Sequence, residues 1–175
     1  MSWQIDPAHS EIQFSVRHMM ISKVRGRFEE FGGEVKFNEE NPAASSVDIT
    51  IQAASINTRD EQRNGHLKSA DFLNVEEHPT IRFVSKRIDV VDDNHGRIYG
   101  DLTIRDVSRE VVLDAEYTGQ AKSPWGATSA GFSATTSLDR TEWGLEWNQA
   151  LETGGFLVGN KLDVSIELEL VKQEE

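Results

Sequence analysis

Leu162-Asp163-Val164-Ser165-Ile166-Glu167-Leu168-Glu169-Leu170 decides the fold. Apolar and polar residues alternate strictly over nine positions, the pattern of a strand with one dry and one wet face. Outward from there the same period of two recurs. Ile12, Phe14, Val16 and His18 alternate with Gln13, Ser15 and Arg17. Val47, Ile49, Ile51 and Ala53 alternate with Asp48, Thr50 and Gln52, and Ile81 and Phe83 flank Arg82. Ile98, Gly100, Leu102 and Ile104 form another such face, as do Val111, Leu113, Ala115 and Tyr117. One wet face per strand implies antiparallel pairing, since parallel strands buried on both sides read as continuous apolar runs.

Turn chemistry separates these runs. Gly32-Gly33 breaks the stretch from Val24 to Phe37, and Asn38-Glu39-Glu40-Asn41-Pro42 reads as a turn. Asp92 to Gly96 reads as a polar hairpin turn in which the glycine supplies a positive φ. Asp106-Val107-Ser108-Arg109 and Ser123-Pro124-Trp125-Gly126 are two further connections. About eight strands result, and a meander of that size escapes exposed edges by closing into a barrel. At roughly eight strands, the interior either fills with side chains or holds one small ligand. One segment departs from the rhythm. Thr58 to Phe72 reads as a short helical insert around residues 59–71, with Thr58 or Asn57 as N-cap and a weak point at Asn64-Gly65. The stretch from Trp143 to Asn160 alternates poorly and reads as a long loop or a bulged strand.

The chain has 175 residues, which suits one domain, here residues 1–175. It has no cysteine, which removes disulfides, thiolate nucleophiles and Cys-based metal sites. The net charge of −12 disfavours nucleic-acid binding and opposes docking on anionic lipid headgroups, leaving room for a lipid whose apolar tail is buried internally. No apolar run approaches the ~18 residues of a membrane-spanning helix. The first residues carry neither the basic nor the apolar region of a secretory leader. The expectation is a cytoplasmic protein, or a periplasmic one if a leader has been removed.

The five histidines, His9, His18, His66, His78 and His95, show no HExxH spacing, and no metal site is expected. No G-x-S-x-G elbow, P-loop or G-x-G-x-x-G motif is present, and Gly154-Gly155 is a poor phosphate loop. His18 continues the apolar face of its strand and His66 lies on the insert, so both could meet a ligand headgroup. Phe14, Phe28, Phe37, Phe83, Phe132 and Trp147 would form an aromatic interior, either packed shut or wrapped around a ligand.

The order of short motifs decides between those two. Trp3-x-Ile5-Asp6-x-x-His9-Ser10-x-Ile12-x-Phe14-x-Val16-x-His18 comes first, then Val24-x-Gly26-x-Phe28-x-x-Phe31-x-Gly33. Ala54-Ser55-Ile56-x-Thr58, Gln62-Arg63, His66-Leu67-x-Ser69-Ala70-Asp71-Phe72 and Pro79-Thr80-Ile81-x-Phe83 follow. Gly100 to Ile104, Gly131 to Thr135, Trp143-Gly144-Leu145, Trp147-Asn148 and Gly154-Gly155-x-Leu157-Val158-Gly159 complete the series. Together they resemble the YceI-like family of lipocalin-like, polyisoprenoid-binding proteins, over almost the whole chain. The resemblance implies an all-β, eight-stranded antiparallel lipocalin-like barrel that encloses a long-chain lipid, with no catalytic residues, no cofactor and a homodimeric state. Polyisoprenoids, prenyl phosphates and quinone-like lipids are the implied ligands, for binding, storage or transport. The expected lining is Ile12, Phe14, Val16, Phe28, Ile49, Ile51, Phe72, Phe83, Leu102, Phe132, Trp147 and Leu157, with His18, His66 and Asn148 near the headgroup. Two other readings stand beside this one. The first is an enzyme acting on a lipid-like substrate, with His18 or His66 as general acid–base. The second is a ligand-free structural or stress-related dimer with a packed core.

Overall fold

A computed structural model describes residues 3–19, 21–151 and 157–173. Alternation again governs the architecture, but three of the long strands are broken in the middle. The first consists of β1 (Trp3–Ile5) and β2 (Glu11–His18), separated by a 3-10 turn at Pro7–His9. Pro7 cannot donate to a ladder, and Asp6 Oδ1 accepts the Ala8 N–H at 3.0 Å to cap the turn. The second consists of β3 (Ser22–Phe28) and β4 (Phe31–Lys36). Its break falls at Glu29-Glu30, not at Gly32-Gly33 as the composition suggested. Gly33 has φ +146° inside β4, where a Cβ would stand 2.9 Å from Ile49 Cα. That glycine therefore serves a close strand approach. The third consists of β5 (Ser46–Gln52) and β6 (Ile56–Asn57), joined through a 3-10 turn at Ala53–Ser55.

Five unbroken strands complete the wall: β7 (Thr80–Val90), β8 (His95–Ile104), β9 (Val107–Lys122), β10 (Thr128–Asp139) and β11 (Val158–Lys172). Pairing runs β2·β3 and β1·β4, then β4·β5 and β3·β6, then β5·β7·β8·β9·β10·β11, every ladder antiparallel. β11 returns to both halves of the first strand, with Glu167 opposite Glu11 and Lys172 opposite Trp3. Counting each broken strand once gives a closed, eight-stranded up-and-down barrel, the fold class expected.

The turns are less as expected. β8 and β9 are joined by Arg105-Asp106, with φ +52° and +64°, a two-residue I′-like hairpin. Val107 to Arg109 already belong to β9. Gly96 lies within β8 and adopts no positive φ; the turn before it is instead organised by Asp92, whose Oδ1 accepts the N–H groups of Asn94 and His95, each at 2.8 Å. Ser123–Gly126 is a turn, with Gly126 at φ +92°.

The insert forms one helix, α1 (Glu61–Lys68). Its N-cap is Asp60, whose Oδ1 accepts the Arg63 N–H at 3.1 Å, in place of Thr58 or Asn57. Asn64 does not weaken the helix; its Oδ1 accepts both the N–H and the Oγ1–H of Thr58 at 2.8 and 2.6 Å, tying α1 to the end of β6. Within 143–160, a 3-10 turn at Arg140–Trp143 ends on Gly144 at φ +80°, and β11 begins at Val158. Glu152 to Phe156, with the Gly154-Gly155 pair, lie outside the described residues. No described helix is long and apolar enough to cross a membrane.

Candidate functional site

The inward side chains do not fill the barrel. They surround one elongated cavity of about 1180 Å³, larger than the ~300–1,000 Å³ usual for small-molecule sites. Its wall follows the strand register. On β2, Ile12, Phe14 and Val16 face inward beside Phe28 of β3 and Val164 and Ile166 of β11. On the opposite wall Ile49 stands across from Phe83, and Phe83 across from Leu102. Ile51 pairs with Ile81 one layer nearer α1.

The end away from α1 is narrowed by aromatic rings. Phe37 meets Phe132 edge-on with centroids 5.0 Å apart, Tyr117 lies 5.2 Å from Phe132, and Trp3 backs the group 5.7 Å from Phe37. Edge-on and tilted pairs at these separations are favourable beyond their buried area. Outside them, the Glu39 carboxylate accepts from Gln120 Nε2 at 2.5 Å and Lys172 Nζ at 3.2 Å. Those two donors, Gln120 first, hold its pKa below the usual glutamate range.

The end beneath α1 is more polar. The His66 ring stands edge-on to Trp147 at 4.5 Å and to Phe72 at 5.1 Å, and its Nε2 lies 2.9 Å from Asp71 Oδ2. His18 closes β2 opposite Val158 and Ser22, half-buried at the rim. Arg63 reaches the buried Thr58, donating from Nε to Oγ1 at 2.9 Å and from Nη2 to the carbonyl at 2.6 Å.

Arg140 also lines this end, although it is only 3% exposed. It donates to backbone carbonyls: Nε to Gly159 at 2.9 Å and Nη1 to Leu145 at 2.6 Å. Among the described residues, no carboxylate lies within ion-pair distance of it. Burial pulls its pKa below that of a free guanidinium, with Asp139 partly opposing. Sequence reasoning missed it, because a charged residue straight after a strand reads as solvated. Its Asp139-Arg140-Thr141 setting shows only that a strand ends there.

Fourteen of the expected site residues surround the cavity: Ile12, Phe14, Val16, His18, Phe28, Ile49, Ile51, His66, Phe72, Phe83, Leu102, Phe132, Trp147 and Leu157. Asn148 is not among the lining residues. Its amide is spent on Val158, donating from Nδ2 to the carbonyl at 2.7 Å and accepting the N–H at 3.0 Å. It pins the start of β11 and has little left for a headgroup. On the outer surface, His9 Nδ1 lies 2.8 Å from Asp6 Oδ2 and 3.2 Å from Glu169 Oε2. One ligand atom from each of these three falls within 4.8 Å of the others, a convergence that sequence spacing could not show because Glu169 comes from a distant strand.

The chain matches the model of the YceI-like domain over residues 3–170. A UPF0312 protein of Staphylococcus aureus (strain USA300) is 36% identical over 172 residues, covering 97% of this chain and 98% of that one. The crystal structure of a Campylobacter jejuni YCEI protein superposes with a TM-score of 0.78 at 30% identity, over 90% of each chain. A polyisoprenoid binding domain from Saccharophagus degradans, implicated in plant cell wall breakdown, shares the fold at a TM-score of 0.70 and 12% identity, over 99% of each chain. By a family match that spans nearly all its length, this chain belongs to the YceI-like domain family.

Proposed function

We propose that the protein binds a long-chain apolar lipid inside the barrel, as a carrier or store, and that the lipid is an isoprenoid. The observation that carries this reading is the size of the cavity together with its aliphatic and aromatic wall. Water is a poor filler, since a bound water needs two to four polar partners and the middle of this wall offers few. A hydrocarbon chain needs none.

The gain is ample. At about 0.8 kcal/mol per buried methylene, sixteen carbons give roughly 13 kcal/mol gross. Association itself costs about 4–15 kcal/mol, so micromolar to nanomolar binding follows without a strong head contact. The polyisoprenoid binding domain of Saccharophagus degradans, with the same fold, supports the isoprenoid assignment. A headgroup would sit near His18, His66 and Arg140, where polar atoms border the cavity.

Organic extraction and mass spectrometry of the purified protein test this, with native mass spectrometry alongside to count protomers and cargo. A near-stoichiometric isoprenoid is the expected result. A protein that comes out empty and refuses prenyl lipids offered in detergent would overturn it.

A further inference from the structure

The charge of this chain is unevenly placed. Residues 12–28 hold Arg17, Lys23, Arg25 and Arg27 and no Asp or Glu, so a chain of net −12 carries −16 outside them. Together with Glu11, which opens β2 and lies 3.8 Å from Arg27, these seventeen residues make up the β2–β3 hairpin, whose net charge is +3. All four cations are exposed, and Arg17 stands directly opposite Lys23, a like-charge pairing that destabilises an isolated ladder. Arg27 has Glu29 at 3.1 Å, but among the described residues Arg17, Lys23 and Arg25 have no ion pair. At the tip Met19 is 44% exposed and Ile21 80% exposed. Just behind the tip, Val16, His18 and Val24 line the cavity.

Cations guard an exposed strand edge, and β3 does have one, since β6 pairs only with Arg27 and Phe28. Edge protection alone would be met by either sign of charge and does not call for an apolar tip. A protruding apolar tip ringed by unpaired cations is the composition of an element that lies in an anionic membrane interface. We propose that the β2–β3 hairpin docks on anionic phospholipid, with Met19 and Ile21 entering the interface and the cavity mouth brought against the bilayer. This rests on the lipid-binding reading and adds where cargo enters and leaves. Among the other large exposed apolar groups, Val90 and Val91 adjoin Asp92 and Asp93, which an anionic surface repels; Val84 and Val112 sit within β7 and β9, and Trp125 in the β9–β10 turn.

The chain has no cysteine, so Ile21→Cys and, as a control, Trp125→Cys can each carry one polarity-sensitive dye. With vesicles of phosphatidylglycerol and phosphatidylcholine at low salt, the dye at 21 shifts to the blue and the dye at 125 does not. Co-sedimentation weakens as salt is added, and pure phosphatidylcholine vesicles bind far less. Each interfacial cation contributes about fivefold, so Lys23→Gln with Arg25→Gln lowers partitioning roughly thirtyfold. Neither residue lines the cavity, so native mass spectrometry finds the same cargo in that variant. Equal vesicle binding by the variant, a shift at 125 in place of 21, or capture by a soluble polyanion with no vesicle binding would each overturn the docking proposal. Loss of cargo bears on the lipid-binding reading alone, because vesicle docking is read separately.

Discussion

Phe14 lies across the β2–β3 ladder from Gly26 with its ring against the glycine: a Cβ there would stand 2.8 Å from Phe14 Cε1 and 2.9 Å from Thr58 Cγ2. The glycine is a slot in the barrel wall that lets a large ring lie along the cavity. Gly26→Val is expected to lower stability by about 1–3 kcal/mol through overpacking. Urea denaturation measures the loss, and Phe14→Leu in the same chain should recover much of it. If the two substitutions add without coupling, the ring does not depend on the slot.

Ala134 lines the middle of the cavity from β10. Ala134→Phe puts a ring where the lipid is expected, so the variant should still fold while long-chain cargo disappears, melting near the temperature of the delipidated parent and below the loaded one. Thermal denaturation and native mass spectrometry report the two effects separately. Undiminished uptake of a long isoprenoid by a folded variant would place the lipid elsewhere.

Arg140→Met is expected to destabilise by about 3 kcal/mol, because the carbonyls of Leu145 and Gly159 lose their donors inside the wall. Arg140→Lys should recover little, since one ammonium cannot match the planar fork that reaches both. Guanidinium denaturation decides this, and a lysine variant as stable as the parent would show that charge alone matters.

Between β1 and β2 the Asp6–His9 contact predicts a pH dependence. The hydrogen bond that His9 Nδ1 donates to the Asp6 carboxylate raises the His9 pKa above the usual 6.5, helped by Asp6 and Glu169 charge. Asp6 is lowered below 3.8, chiefly by the same bond. The raised histidine contributes fully below pH 6.5 and loses its contribution as pH climbs through its folded value. The lowered aspartate contributes above pH 3.8 and loses it as pH falls through its own. The tie is therefore complete between those limits. NMR titration should find the His9 midpoint above 6.5, moving down in Asp6→Asn while His95, raised mainly by Asp92, stays put.

Barrel and lining were legible for one reason: alternation fixes which side chains face inward, and the lumen is whatever they surround. Leu162 to Leu170 and Ile12 to His18 could be read that way without any tertiary knowledge. Features that depend on tertiary context were not. Arg105-Asp106 forms its tight turn without the glycine or asparagine that would signal one. Gly33 looked like a break and is a point of strand contact. Asn148 looked like a rim residue and is a backbone clamp, because only the fold brings Val158 to it. Arg140 was silent for the converse reason, its carbonyl partners coming from segments that no local pattern links.

Trp3 pairs with Lys172 at the seam of the barrel, so closure joins strands from the two extremes of the described chain. Such a contact has nearly the largest sequence separation possible here, and topologies dominated by distant pairings fold slowly. Until that seam zips, β11 and β4 each lack the neighbour that β1 supplies, and the apolar lumen is open along one side. A folding route that closes this seam last passes through a state with free strand edges, which invites intermolecular pairing. On the proposed lipid-binding reading, a lipid at hand during that stage gives the open sheet something to wrap around, so that loading and barrel closure coincide.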